Sequence, residues 1–146
     1  MNFKTVLLTP EQVLKSWHLI EPDIEKALAH GIDEMSTFDL FKQALNSKVF
    51  VWATLDENNK IVGTSTSRFI NYDSTKTCQL ITHTTNGVSH QTIEQEHRVL
   101  EDFAKLNGCS HIQVWGRKGW ERRLQNLTSR QGNKYKTQYY VYDMEI

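Results

Sequence analysis

Two β-prone runs that flank a long amphipathic helix, between residues 78 and 115, constrain the fold more than any other feature. The first run, 78–83, leads to the turn dipeptide Asn86-Gly87, and the second, 110–115, begins just after Gly108. Apolar residues recur between them at helical spacing over 89–107. A strand, a helix of this length and a second strand predict a right-handed crossover between two parallel strands.

Upstream of this crossover the sequence predicts a strand followed by two helices. A β-prone run at 3–8 ends at Thr9-Pro10, where the threonine can cap a helix whose first residue is proline. Pro22 is expected to kink or split that helix, and the glycine of His30-Gly31 to end it. Either residue of Ser36-Thr37 should cap the second helix, which ends near residue 46.

The remaining segments predict strands and one short helix. Residues 49–55 are the clearest strand, and the polar residues 56–60 predict a hairpin turn to a second strand that begins at Ile61. This pair should be antiparallel. A short helix is expected over 120–127, and the aromatic enrichment of 135–142 predicts a final strand.

The same spacing predicts which side chains the helices bury. The second helix should place four residues on one face: Phe38, Phe41, Ala44 and Leu45. The helix over 89–107 should bury a stripe formed by Ile93, Leu100, Phe103 and Ala104. Its charged residues are expected to lie mostly elsewhere: Glu94, Glu96, Arg98, Glu101 and Lys105.

Composition bounds the class of protein. A chain of 146 residues, 38% hydrophobic and 10% aromatic, suits one globular domain spanning 1–146 and excludes a disordered chain. No segment has the length and apolar character of a membrane span, and the N-terminus lacks a signal-peptide core. We therefore expect a cytoplasmic protein.

The cysteines and histidines do not predict a metal site or a disulfide framework. Cys78 and Cys109 are far apart and lack a Cys-x-x-Cys partner. His83, His90 and His97 recur every seven residues, but only the last two share the predicted helix. Two turns of helix separate them, which is too far for the usual metal clamp of two histidines four residues apart.

Positive charge concentrates near the C-terminus although the net charge is zero. Between residues 117 and 136 seven lysines and arginines accompany a single acid, Glu121. This cluster is suited to an anionic partner, or it is an ordinary solvated face. Binding of nucleic acid is the weaker reading, because few aromatic residues are interleaved with the charges.

The order of elements resembles the GNAT superfamily of acyl-coenzyme A-dependent N-acetyltransferases. Residues 78–124 look more specifically like the short GNAT-like proteins of tailed bacteriophages, above all in Gly116-Arg117-Lys118-Gly119-Trp120-Glu121-Arg122-Arg123-Leu124. The resemblance implies an α+β fold, an α/β sandwich with a mixed central sheet. The first half of that sheet is antiparallel, the fourth and fifth strands form the parallel crossover, and helices cover both faces.

The resemblance also implies acetyl-coenzyme A as a co-substrate, bound in a wedge where the fourth and fifth strands splay apart. It assigns cofactor contacts to seven residues: Ile81, Thr82, Thr84, Gly87, Ser89, His90 and Arg117. The superfamily's pyrophosphate loop, Arg/Gln-x-x-Gly-x-Gly/Ala, is matched here by residues 84–90 with one glycine. Asn-Gly is also a common turn dipeptide, so this loop has a structural alternative.

The segment after the fifth predicted strand has two readings. Gly116 and Trp120 are expected to form a strand-to-helix turn and the core anchor of a short helix, or else part of a basic lip for phosphate or an acidic substrate. Arg117 follows Trp115 and Gln113 on one side of the strand, so it is expected to face the groove. Arg117 is the preferred functional arginine.

Two residues are candidates for proton transfer. An amine must lose a proton before it attacks a thioester, and the family mapping places His83 on the fourth strand as the base. Many superfamily members protonate the thiolate with a tyrosine on the helix after the fifth strand, where this chain has Arg123-Leu124-Gln125. Tyr139 is the substitute candidate, and both residues have a purely structural alternative.

The leading hypothesis is therefore a GNAT-like acyltransferase that moves an acetyl group from acetyl-coenzyme A to an amine of a small molecule or protein. The alternative is a catalytically degenerate GNAT-fold phage protein that binds a host or virion protein. The sequence specifies neither the acceptor nor the oligomeric state.

Overall fold

Five strands and four helices form the described parts of the chain, which are residues 2–29, 35–116 and 119–146 of a computed structural model. In chain order they are β1 (Lys4–Leu8), α1 (Pro10–Leu28), α2 (Thr37–Leu45), β2 (Phe50–Leu55), β3 (Ile61–Asn71), β4 (Lys76–Thr85), α3 (His90–Leu106), β5 (His111–Val114) and α4 (Trp120–Leu124).

The strands form one sheet in the order β1-β2-β3-β4-β5. The first three pairings are antiparallel, and β4 pairs with β5 in parallel. Helix α3 connects those two parallel strands. This architecture confirms the predicted α+β fold with an antiparallel first half and a parallel crossover.

Helix α1 begins where the sequence predicts. Thr9 and Gln12 form a reciprocal capping box, with hydrogen bonds of 2.9 and 3.2 Å, and Pro10 follows the cap. The predicted split at Pro22 is wrong, because α1 continues to Leu28. A proline inside a helix costs ~3 kcal/mol. Beyond the proline, burial of Ile24 stabilises the helix by about 1.5–3 kcal/mol, and half-buried Leu28 contributes further.

Helix α2 is capped by Ser36, whose hydroxyl accepts a hydrogen bond from the Asp39 N–H at 3.1 Å. The predicted buried face is partly wrong. Phe38 is 63% exposed, and the buried residues of α2 are Leu40 and Ala44. The predicted end of the preceding segment at His30-Gly31 lies outside the described residues.

Two apolar clusters cover opposite faces of the sheet. On the face covered by α1 and α2, here called the α1 face, the buried members are Val13, Ile20, Ile24, Leu40, Ala44, Val49 and Val51. On the opposite face, here called the α3 face, they are Trp52, Cys78, Leu100 and Ala104. Burial raises the pKa of the Cys78 thiol to about 12, with a smaller contribution from Cys109. Both cysteines are free thiols.

The predicted strand over 135–142 is wrong. Residues 135–146 are all described and form no strand, and most of them are exposed. An isolated bridge between Thr128 and Lys134 is the nearest β pairing. Aromatic enrichment reports a preference for strands, but a strand also needs a partner edge, and β5 has four residues. No helix among the described residues is long and apolar enough to cross a bilayer.

Residues 127–135 are attached to the outer side of α3. Leu127 is buried, and the Arg130 N–H donates to the buried Glu101 carboxylate at 3.0 Å. The Arg130 guanidinium donates two bonds to Asp102, at 2.8 and 2.9 Å, and these hydrogen bonds lower the pKa of that carboxyl. Tyr135 and His97 form a further hydrogen bond of 2.7 Å.

The packing of α1 makes a direct prediction for stability. Ile20 is fully buried, with 0% exposure, whereas Leu14 on the same helix is 57% exposed. We expect Ile20→Ala to lower the free energy of unfolding by about 2–5 kcal/mol in urea denaturation. Leu14→Ala, the matched control, should change it by no more than about 0.5 kcal/mol. Equal losses in the two variants would contradict the assignment of the core.

Candidate active site

Strand β4 is paired on both sides along only part of its length. Residues 77–80 pair with β5, ending at Leu80 opposite Val114. Beyond that point residues 81–85 have no strand beside them on the β5 side among the described residues. Ile81 is an extra residue at this point, because Leu80 pairs with Ser67 and Thr82 with the adjacent Thr66. Such a bulge bends a strand, and it lies at the point where the pairing of β4 with β5 ends.

The main-chain groups at this open edge belong to His83 and Thr85. The Asn86 N–H donates to the Val62 carbonyl at 2.9 Å, which fixes the alternation of hydrogen-bonded pairs between β4 and β3. Thr82 and Thr84 are then the residues bonded to β3. The N–H and C=O groups of His83 and Thr85 point toward the opening, where a ligand can pair with them.

On the α1 face of the open segment, the side chains of β4 already contact other parts of the fold. The hydroxyls of Thr82 and Thr66 lie 2.6 Å apart, and the Thr84 hydroxyl donates to the Asp23 carbonyl at 2.9 Å. Ile81 packs against the core beneath α1. The three predicted cofactor residues on β4, Ile81, Thr82 and Thr84, therefore have their side chains in contacts within the fold.

On the α3 face His83 joins a buried polar chain. Its Nε2 lies 3.1 Å from Glu96 Oε1, and the Thr54 hydroxyl donates to Glu96 Oε2 at 2.6 Å. The His83 and Glu96 side chains are only 7% and 9% exposed. Gly63 leaves room for the carboxylate, since a Cβ there would lie 3.2 Å from Oε2. The other ring nitrogen, His83 Nδ1, is buried and has no hydrogen-bond partner in the described structure.

Trp120 covers His83 from helix α4. The two ring centroids are 5.7 Å apart, at an interplanar angle of 61°. Gly116 makes this position available, because a Cβ at that residue would clash with Trp120 Cδ1. The Arg123 guanidinium lies 5.4 Å from the centre of the indole. Trp120 is half-buried and belongs to neither apolar cluster, so the predicted core anchor is wrong. The predicted turn includes residues 117 and 118, and it therefore lies partly outside the described residues, as does Arg117.

The loop before α3 presents main-chain donors rather than free side chains. Gly87 has a φ of +73°, in the left-handed region that favours glycine. Ser89 caps α3 by accepting from the Thr92 N–H, and the exposed His90 ring lies 2.9 Å from a Glu94 oxygen. The first N–H groups of a helix have no partner within it, and no acid stands in this first turn. An anion would therefore contact amides here.

Tyr139 lies at the β5 side of the opening. Its ring packs edge-on against Trp115, which directly follows β5, with the centroids 6.0 Å apart. The side chain is 53% exposed, and no hydrogen bond joins it to His83 in the described contacts. Partial burial, and then Tyr72, raise the pKa of the Tyr139 phenol, so it keeps its proton at neutral pH.

Glu96 and Thr54 are the residues of this network that sequence reasoning missed. Helical spacing predicts that Glu96 lies away from the buried stripe of α3, and this prediction is wrong, as it is for the buried Glu101. The signal was present, because Thr92, Glu96, Leu100 and Ala104 recur every fourth residue and all are buried. A carboxylate at such a position requires a buried partner.

One cavity lies apart from this site. A cavity of about 250 Å³ opens between α1, α2 and the first two strands, and its wall is mostly apolar. None of the described residues that line it is charged. Across the residues that the structure describes, no group of three or more metal-ligating side chains is assembled.

Solved structures of acetyltransferases share this fold. An aminoglycoside acetyltransferase from an uncultured soil metagenomic sample, in complex with sisomicin, is 18% identical with a TM-score of 0.69; 98% of this chain and 97% of that chain are covered. A ribosomal-protein-alanine N-acetyltransferase from Brucella melitensis biovar Abortus 2308 is 10% identical with a TM-score of 0.70, covering 99% and 100%. Glucosamine-6-phosphate N-acetyltransferase from Arabidopsis thaliana is 14% identical with a TM-score of 0.57; 92% of this chain and 99% of that chain are covered.

These similarities define the class of fold. The chain has the GNAT acetyltransferase fold over nearly its whole length, as its mixed sheet and parallel β4–β5 crossover also indicate. At identities of 10–18% they do not carry over a substrate. No protein-family model and no curated protein sequence matches the chain.

The contact between Gly116 and Trp120 is testable with a double-mutant cycle. Gly116→Ala forces the indole to move, and we expect it to lower the free energy of unfolding by about 1–3 kcal/mol. In a Trp120→Leu background the same change should cost much less, which gives a coupling energy of about 0.5–3 kcal/mol. Additive losses in urea denaturation would show that the two residues are not in contact.

Proposed function

We propose that this protein transfers an acetyl group from acetyl-coenzyme A to an amine of a small molecule or protein. The observation that carries the proposal is the open edge of β4 at His83 and Thr85, next to a buried histidine with one unpartnered nitrogen. The acetyltransferase fold supports the reaction class.

The cofactor would lie along the opening between β4 and β5. Its pantetheine amides can pair with the main-chain groups of His83 and Thr85, as an added strand would. Its pyrophosphate then reaches Gly87 and the first turn of α3, where unpaired N–H groups and the helix dipole favour negative charge. Arg117, which lies outside the described residues, is proposed to add a cation for the pyrophosphate.

The chemistry requires one proton acceptor and one proton donor. The acceptor amine gives its proton to His83 Nδ1 and attacks the thioester carbon, so that a C–N bond forms and the C–S bond breaks. Main-chain N–H groups of the open edge can stabilise the charge on the carbonyl oxygen. The departing thiolate takes a proton, either from the imidazolium of His83 or from Tyr139 at the β5 side.

A binding role is the second candidate, and two observations favour it. The pyrophosphate loop has one glycine where the superfamily pattern has two small residues, and Trp120 covers His83. The fold would then serve as a module that binds a host or virion protein, in keeping with the resemblance to phage proteins. Acetyl-coenzyme A separates the two functions, because only the first requires it.

Calorimetric titration with acetyl-coenzyme A tests the leading proposal. We expect saturable binding, and at a ligand concentration of 100 times Kd a stabilisation of about 2.7 kcal/mol against unfolding. Thr85→Pro removes one N–H at the open edge and should weaken binding about five- to tenfold, because it deletes a hydrogen bond worth about 1–1.4 kcal/mol.

The matched control for this titration is Thr85→Val, which changes the side chain but keeps the N–H. It should bind acetyl-coenzyme A as the unmodified protein does. Absence of binding at millimolar acetyl-coenzyme A would contradict the acetyltransferase proposal and favour the binding module. Equal weakening by both Thr85 variants would show that the main chain of the open edge is not the contact.

A further inference from the structure

The carboxylate of Glu96 is buried on the side of α3 that faces the sheet. A buried carboxylate is costly unless each oxygen has a partner. Here the two oxygens have different partners from different strands, Thr54 on β2 and His83 on β4. The Thr54 hydroxyl is itself 3.0 Å from the Thr5 hydroxyl on β1. The hydrogen-bonded side chains therefore connect β1, β2 and α3 to His83 on β4.

This chain determines which nitrogen of His83 carries a proton. The Thr54 hydroxyl donates to Oε2 at 2.6 Å, as expected for an ionised carboxylate, which accepts hydrogen bonds and donates none. The nitrogen facing Oε1 at 3.1 Å, Nε2, must then carry its hydrogen. In the neutral imidazole the lone pair is left on Nδ1, the buried nitrogen without a partner. A buried acceptor without a partner, such as Nδ1 here, also costs less free energy than a buried N–H without a partner.

We propose that Glu96 is a positioning residue for acetyl transfer: it holds His83 in the tautomer whose Nδ1 accepts the proton of the attacking amine. This inference rests on the proposed function for its role in turnover. Thr54 fixes the second oxygen, so the carboxylate cannot rotate away from the imidazole. Glu96 does not contact the reacting atoms.

Access to Nδ1 involves Trp120. The nitrogen has no contact with solvent in this structure, and the indole of Trp120 packs against the same imidazole. Helix α4, which carries Trp120, has five residues, and Gly119 stands at its N-cap without a side-chain hydrogen bond. An acceptor amine can therefore reach Nδ1 only after a rearrangement that exposes this nitrogen.

The tautomer can be read by ¹⁵N NMR of the histidine-labelled protein at alkaline pH, where the imidazole is neutral. His83 should show the Nε2–H tautomer alone. In Glu96→Gln the amide can donate to Nε2 while its oxygen accepts from Thr54, so an Nδ1–H population should appear. His97 serves as an internal reference, because its partner is Tyr135 and its signals should not change.

A matched variant separates positioning from stability. Glu101→Gln alters another buried carboxylate of α3, one that binds Arg130 and not His83. It should leave the His83 tautomer unchanged, whatever it costs in stability. With an aminoglycoside amine as the probe acceptor, Glu96→Gln should lower kcat about 100-fold with KM for acetyl-coenzyme A unchanged, as expected for loss of an oriented base.

The outcomes separate this inference from the proposed function. An Nδ1–H tautomer of His83 in the unmodified protein, or no change of tautomer in Glu96→Gln, would overturn the role of Glu96 even if acetyl-coenzyme A binds. Failure of acetyl-coenzyme A to bind would overturn the proposed function and with it any role in turnover. The expected tautomer with an unchanged kcat in Glu96→Gln would reduce Glu96 to a structural role and overturn the proposal.

Discussion

The site depends on where the pairing of β4 with β5 ends. Pairing stops at Leu80 and Val114, next to the bulge that Ile81 makes against β3. If the parallel pairing continued for three more residues, the main chain of His83 would be bonded within the sheet. The opening and the free main-chain groups of His83 and Thr85 both follow from this one interruption.

The buried Glu96–His83 pair beside that opening is not needed for a stable core. Replacing such a pair by well-packed apolar residues is often neutral or stabilising, whereas removing one partner costs about 3–5 kcal/mol. Glu96 therefore constrains the fold without making it more stable than an apolar core would. What it does provide is a fixed orientation for His83, and Gly63 and Thr54 supply the space and the hydrogen bond that this requires.

The sequence predicted the features that depend on local chemistry. The caps at Thr9 and Ser36 and the crossover from β4 to β5 were all predictable, because each follows from adjacent residues or from helical spacing. The predictions that are wrong concern features that depend on a partner distant in the sequence. Residues 135–142 have the composition of a strand but no edge to pair with, and α1 passes Pro22 because its apolar face is buried on both sides of it. The partners of Glu96 lie on two other strands, which no local pattern in α3 identifies.

Hydrogen–deuterium exchange in the presence of acetyl-coenzyme A measures the main-chain N–H groups that are proposed to bind the cofactor. We expect the ligand to slow exchange in the open half of β4 at His83 and Thr85, and in the loop and first turn of α3 over 87–92. Exchange in β1, at the far edge of the sheet, should not change. Protection confined to β1 and the cavity beside it, with none at His83 or Thr85, would show that the open edge of β4 does not bind acetyl-coenzyme A.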